Sequence, residues 1–400
     1  MNKTEMYLKE HYMFYVDEIS KITYYKPKGN ENEEFQKLND YSFNSIYREL
    51  KNNKIQSISK DDLRILLFSD YVPLVNPFIQ FLDSIVYDDN VDYIAKIAST
   101  VKTENDEYFQ WIFKKWFVNL VACVTGEGIT NENMIILVGK QGIGKTRWTE
   151  SLLPKELQDY YYGDDIDPKN KDHKALFATR IIINIDELTS FSHSKVEQFK
   201  SILSAKKLTF RRPYGSFNED FNRIASLIGS SNHKDVLMDT SGNRRYLCID
   251  TLAFENIDTN DLKKAYKQAY QMYQEGFQYY FDREEIEKIN EINLDYVQVD
   301  EATELINQYF EVCNVNHHSA KYMNATEVLN YLKKSCGIAS VPPAQALGRL
   351  LTSLGFKDKK INGSKKYAML IKSQDNKEIK EPILKMVKIM NQTRTSTQLN

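Results

Sequence analysis

MIILVGKQGIGKTRWTESLL, residues 134–153, decides the fold. Its first five residues are apolar and rich in β-branched side chains, the signature of a short buried strand. Gly139, four intervening residues and Gly144-Lys145-Thr146 then match the pattern G-x-x-x-x-G-K-[ST] at every position. Residues 146–153 open a helix. Strand, glycine loop and helix in that order predict an α/β phosphate-binding unit. Gly139, Gly142 and Gly144 let the backbone wrap with its N–H groups pointing inward at phosphate oxygens. Lys145 is expected to reach the β- and γ-phosphates, and the Thr146 hydroxyl to hold Mg²⁺. The expected ligand is ATP or a close relative.

The second half of such a site lies some forty residues on, in RIIINIDEL (180–188). A nearly continuous apolar run ending in two carboxylates reads as a central parallel strand. Asp186 is expected to position the Mg²⁺, and Glu187 to orient and deprotonate an attacking water. RIASLIGSSN (223–232) is a further strand, whose terminal Asn232 would contact the γ-phosphate or that water. In TSGNRRYLCID (240–250), Arg244 and Arg245 precede one more short strand. Arginines on a strand's entry loop do not reach their own subunit's γ-phosphate. They suit a neighbour's site in a ring, where a planar cation stabilises transition-state charge. The competing reading is an arginine pair at the surface or in a local salt bridge.

Between these strands, Val196, Phe199, Ile202 and Leu203 recur at helical spacing, so a helix runs to about Ser204. KKLTFRRPYG and FNRIASLIG then read as two strands around a Pro-Tyr-Gly turn. Lys206, Lys207, Arg211 and Arg212 beside Tyr214 combine phosphate-seeking charge with a ring able to stack on bases. The alternative is a solvated hairpin whose arginines pair with Glu219 and Asp220.

Taken together, the phosphate loop, IIINIDEL, the RRPYG hairpin, GSSN and SGNRRYLCID resemble the virulence-associated E family. Those are phage- and plasmid-associated AAA+ ATPases of the superfamily 3 helicase type. The helix in AYKQAYQMYQEGFQYYFDREE (265–285) also resembles that family, and the likeness covers roughly residues 105–290. It implies a P-loop core with a five-stranded parallel sheet, a hexameric ring and a replicative motor. By the same resemblance Lys145 and Thr146 bind nucleotide and metal, Asp186 and Glu187 drive hydrolysis, Asn232 is the polar sensor, and Arg245 is the finger in trans with Arg244 in reserve. In many relatives a primase precedes the motor. Only about 100 residues do so here, without a metal-binding acid pattern, so priming by this chain is not expected, and a separate primase or replication protein is a candidate partner.

The flanks complete a four-part organisation. Residues 1–104 read as a helical collar or docking domain, with helical apolar spacing at 43–50 and 60–70 and two prolines breaking the pattern at 72–78. The ATPase core follows at 105–290, opened by EYFQWIFKKWFVNLVACV (107–124), whose aromatic stripe suits packing on the sheet. Residues 291–375 read as a winged helix. MNATEVLNYLKKS begins with an Asn-x-x-Glu capping box, PPAQALGRLLTSLGF is a second helix, and KDKKINGSKKYAML is a hairpin around Asn362-Gly363. Arg349, Lys359, Lys360, Lys365 and Lys366 would grip a duplex backbone, unless the module serves protein contacts alone. Residues 376–400 are expected to be a polar, partly disordered tail, and they lie outside the residues described below.

Composition limits the alternatives. A net charge of −2 means that DNA binding must come from local basic patches rather than a global field. No apolar run is long enough for a membrane span, and the first eighteen residues lack a signal-peptide core. Cys123, Cys248, Cys313 and Cys336 are scattered, which suits a reducing cytoplasm, and with His317 and His318 they match no zinc spacing. The leading expectation is an ATP-driven hexameric DNA helicase or translocase replicating a phage or mobile element. The rival is an AAA+ ATPase that remodels a DNA–protein assembly, as a loader or transposition regulator, without unwinding.

Overall fold

The computed structural model describes residues 3–29, 34–55, 57–167, 170–187, 193–211, 217–237, 243–297, 301–336, 344–361 and 363–372. The chain divides into two compact units, Met1–Gln298 and Val299–Asn400.

The first unit opens with α1 (Lys3–His11), β1 (Tyr12–Asp17), β2 (Thr23–Pro27), β3 (Gln36–Lys37), α2 (Asp40–Asn52), α3 (Lys60–Leu67) and β4 (Leu74–Val75). The four strands form one sheet in the order β3-β2-β1-β4, which corrects the reading of this region as helical. Capping boxes at Asn39 and Ser59 start α2 and α3. Tyr12, Phe43, Ile46, Leu50, Leu63 and Leu67 close a small core between helices and sheet.

Then follow α4 (Pro77–Asp83), α5 (Tyr93–Ala98), β5 (Val101–Thr103), α6 (Asp106–Thr125), β6 (Met134–Val138), α7 (Lys145–Ser151) and β7 (Tyr161–Tyr162). The unit continues with α8 (Lys171–Thr179), β8 (Ile182–Ile185), α9 (His193–Ser204), β9 (Lys207–Arg211), β10 (Asn218–Asn222), β11 (Ser226–Ser231), β12 (Tyr246–Phe254), α10 (Thr259–Gln274) and α11 (Arg283–Asn293). Its main sheet runs β5-β12-β6-β11-β8-β7. Five strands are parallel, and β5 adds an antiparallel sixth at the edge, which the five-stranded expectation lacked.

Both faces of this sheet are covered, which is why its strands read as unbroken apolar runs. Ile135, Leu137, Ile228, Leu247 and Ile249 face one core, with α6 and α10 against them. Met134, Ile136, Val138, Ile183, Ile185 and Leu227 face the other, with Phe177 of α8 and Phe199 of α9. The first core also takes in Phe78, Phe81, Ile94 and Ile97 from α4 and α5. Continuous packing therefore crosses the boundary drawn at residue 104.

The second unit contains α12 (Glu301–Tyr309), β13 (Phe310–Val312), β14 (Lys321–Met323), α13 (Ala325–Cys336), α14 (Ala344–Ser353), β15 (Asp358–Ile361) and β16 (Ser364–Ile371). β13, β14 and β15 all pair antiparallel with β16. Asn324 and Glu327 exchange side-chain-to-backbone bonds of 2.8 Å, a capping box that starts α13. Val328, Leu332, Leu347, Leu351, Phe356 and Met369 give the unit its own core. Among the described residues of the chain, no helix is long and apolar enough to cross a membrane.

Candidate nucleotide-binding site

In a parallel sheet the C-terminal strand ends share one edge, and three neighbouring strands bring the candidate residues there. β11 lies between β6 and β8, with Ser231 opposite Val138 and Gly229 opposite Ile185. Gly139 therefore leaves β6, Asn232 leaves β11, and Asp186-Glu187 leave β8 along one line.

The loop geometry explains its glycines. A Cβ at Gly139 would stand 2.6 Å from both the carbonyl and the hydroxyl oxygen of Thr251, so only glycine fits. Gly142 and Gly144 hold φ of +83° and +105°, in the left-handed region that L side chains avoid. Gly144 is also the N-cap of α7, fixing where Lys145 begins. The Lys145 ammonium donates to Gly139 O at 2.6 Å, Lys140 O at 2.9 Å and Asn232 Oδ1 at 3.0 Å. Burial lowers its pKa, and nearby Asp186 partly offsets this.

Thr146 Oγ1 donates towards both oxygens of Asp186, at 3.3 and 3.2 Å. A hydroxyl and a carboxylate facing one another are hard oxygen donors, the chemistry that suits Mg²⁺. Two residues outside the sequence expectation fix Asp186. Ser230 Oγ donates to its Oδ1 at 2.8 Å, and buried Asn184 Nδ2 donates at 3.3 Å. A lone amide within the apolar run of β8 was the available signal for Asn184. Asp186 and Glu187 are both exposed, and Glu187 has φ of +55°. A non-glycine residue there is uncommon, and such strain gathers at functional sites.

The arginine pair lies elsewhere. β12 runs parallel to β6 with Tyr246 opposite Met134, so Arg244 and Arg245 occupy the sheet edge opposite Gly139. Five strand residues separate the edges, about 16 Å. Both arginines sit in the 3₁₀ turn Asn243–Arg245. Asn133 Nδ2 donates to Arg244 O at 2.9 Å, and buried Asn293 Nδ2 donates to Asn243 O and Tyr246 O, each at 2.9 Å. Arg244 is exposed, whereas the Arg245 guanidinium bonds Ser204 Oγ at 2.8 and 3.1 Å.

β9 pairs with β10, not with a strand beginning at Phe221. FNRIASLIG is split: Phe221 and Asn222 finish the hairpin, and Ser226 starts β11. Lys207, Thr209 and Arg211 share the polar face with Asp220, which accepts from Thr209 Oγ1 at 2.6 Å. Lys206, Lys207 and Arg211 are exposed, and Arg212 and Tyr214 lie outside the described residues. At the break stands Arg223, fully buried, donating to Ala205 O, Ala225 O, Asn131 O and Leu203 O at 2.7–3.1 Å. Sequence reading overlooked it, although an arginine between two apolar runs was the clue.

In the second unit, Arg349 on α14 and Lys359, Lys360 and Lys365 on β15–β16 are exposed. Lys360 stands directly opposite Lys365, a like-charge pairing that costs stability. Lys365 leans on Asp358 at 3.4 Å, and the Lys359 ammonium lies 4.0 Å from the Tyr322 ring centre. Lys366 is half-buried and ion-paired with Glu327 at 3.0 Å, which removes it from a free basic set.

A family model described as the virulence-associated protein E-like domain matches residues 82–298. No curated protein matches the chain. Among solved structures, the apo structure of the NrS-1 C-terminal region is 13% identical, with a TM-score of 0.47, covering 92% of this chain and 98% of that one. An A-form apo structure of the same region gives a TM-score of 0.46 at the same identity and coverage.

Proposed function

This chain belongs to the virulence-associated protein E-like family, and from that premise we propose an ATP-driven, ring-forming DNA helicase or translocase that serves replication of a phage or mobile element. The reading rests on one observation above all, the convergence of Lys145, Thr146, Asp186 and Asn232 at the ends of three adjacent parallel strands.

An ammonium has three N–H donors, and Lys145 directs all three at oxygens of its own loop and Asn232. Phosphate binding exchanges some of these for charge-assisted bonds to anionic oxygens, which are stronger. Thr146 and Asp186 would hold Mg²⁺, with Ser230 and Asn184 orienting the carboxylate, and the ion would supply charge to neutralise the phosphates. Glu187, held outward by its backbone, orients and deprotonates water. Arginines on the far sheet edge act on a neighbouring subunit's site in a hexamer. Arg244, exposed and with its carbonyl held by Asn133, is better placed than Arg245, which is bonded to Ser204. The basic face of the β9–β10 hairpin contacts single-stranded DNA. The second unit, read as a winged helix, grips duplex backbone through Arg349, Lys359, Lys360 and Lys365.

The first experiment compares ATP hydrolysis with and without single-stranded DNA at low salt. Strong stimulation is expected, and it should be lost when Lys206, Lys207, Arg211 and Arg212 are neutralised together. Robust hydrolysis indifferent to DNA would overturn the motor reading in favour of a remodelling ATPase.

A further inference from the structure

The segment after Asn232 is anchored by residues that the nucleotide site itself does not use. Two residues beyond Asn232, the Lys234 ammonium meets Asp250 Oδ2 at 2.9 Å. The same carboxylate oxygen accepts from the Tyr296 hydroxyl at 3.0 Å. Lys234 also lies over the Tyr296 ring, 5.2 Å from its centre. The backbone repeats the connection: Val236 N and Leu237 N both donate to Tyr296 O, at 3.1 and 2.9 Å, and Leu237 bridges Val297.

We propose that Lys234, Asp250 and Tyr296 form a latch that positions the Asn232 loop and couples it to the point where the chain leaves the first unit. Asp250 is the fixed member. It pairs with Val138, the last residue before the phosphate loop, and its neighbour Thr251 donates to Val138 O at 2.8 Å. Tyr296 is the transmitting member. It is 4% exposed, and burial together with the adjacent carboxylate drives its phenol pKa well up, so the hydroxyl remains a donor. Lys234 is the trigger-side member, its pKa raised by the bond to Asp250.

An exposed ion pair alone contributes little. This one is embedded among backbone bonds that leave the loop few ways to move independently. If Asn232 exchanges Lys145 for a phosphate, residues 233–237 must follow, and they are bonded to Tyr296. The next residue, Val297, is the last described residue of the first unit. Ligand occupancy thereby biases residues 294–297 through a contiguous set of contacts, one physical route by which sites couple. The latch residues are positioning residues, and the inference rests on the nucleotide reading above.

The test uses the full chain, a non-hydrolysable ATP analogue with Mg²⁺, and hydrogen exchange of the amides at 233–237 and 294–297. In the wild type, the analogue should alter exchange in both segments. The double variant Lys234→Met/Tyr296→Phe keeps the backbone links and the ring. It should bind the analogue within about threefold of wild type, yet show a clearly smaller response at 294–297, the remainder being carried by the backbone bonds to Tyr296 O. Its kcat should fall while KM holds, because Asn232 is misplaced rather than the binding loop. Tyr296→Phe alone, which removes one oxygen, is the variant of record if the double variant folds poorly, and it should show the same loss in part. An unchanged response at 294–297 in the variants, or none in a wild type that binds the analogue, overturns the latch. Failure of the wild type to bind the analogue instead overturns the nucleotide reading, and the latch falls with it.

Discussion

At Glu187 the backbone turns through a left-handed conformation directly after Asp186. Asp186 is tied to Thr146, Ser230 and Asn184, and the proposed function gives the exposed Glu187 beside it the separate task of base. Glu187→Gln should retain ATP binding and reduce turnover by roughly 100-fold or more, the usual scale of a general base. A turnover within a few-fold of wild type would reassign the base. Cysteine chemistry offers an independent check on packing. Burial pushes the Cys123 thiol up to about 12 and raises Cys248 well above its ordinary value. Since the thiolate is the reactive form, both should resist a thiol reagent at pH 8 and react only after unfolding. Fast labelling at either position, read by peptide mass, would contradict the sheet packing.

Among the elements, the β9–β10 hairpin depends on Arg223. Its guanidinium joins the end of α9, the base of β9, the entry to β11 and the loop before β6, through carbonyls of Leu203, Ala205, Ala225 and Asn131. Removing it leaves several buried carbonyls without donors, each a loss of about 1 kcal/mol or more. Arg223→Met should lower stability by about 3 kcal/mol in urea unfolding and reduce the DNA response even at temperatures where the fold persists. A near-neutral effect would mean water replaces the guanidinium. This is also where sequence reading reached its limit. MIILV and RIIINIDEL were legible because strands buried on both faces are continuous and apolar. YMFYVD was not, since Tyr12, Phe14 and Val16 face a core while on the opposite face Asp17 accepts from the Tyr160 hydroxyl at 2.8 Å. With both faces partly covered and aromatic, the alternation that marks a strand disappears. The hairpin partner was misjudged for a related reason, because nothing in FNRIASLIG except Arg223 reveals that the chain changes sheets there. Asp186 and Lys145 could be read from spacing; Ser230 and Asn184, which aim the carboxylate, emerge only when strands are laid side by side.

For the whole molecule, the position of the arginine pair has a direct consequence. Arg244 and Arg245 stand a full strand length from the phosphate loop of their own sheet, so a finger role requires a second subunit. Lys145→Ala should bind ATP roughly 100-fold more weakly or worse, and Arg244→Ala/Arg245→Ala should bind normally but turn over slowly. Mixed together, the two inactive proteins should recover part of the wild-type rate, because some interfaces then combine an intact loop with intact arginines. Recovery that depends on protein concentration would support the ring, while strict additivity of the two residual rates would argue against action in trans. The central sheet also has a history during synthesis. β6 is complete at residue 138, yet its two partners begin only at Ser226 and Tyr246. At about 5–20 residues per second, the ribosome leaves that apolar strand without neighbours for roughly 5–20 s. The nascent chain thus carries an aggregation-prone segment until its later strands emerge, and expression yield should be most sensitive to holdase supply while residues 139–250 are being translated.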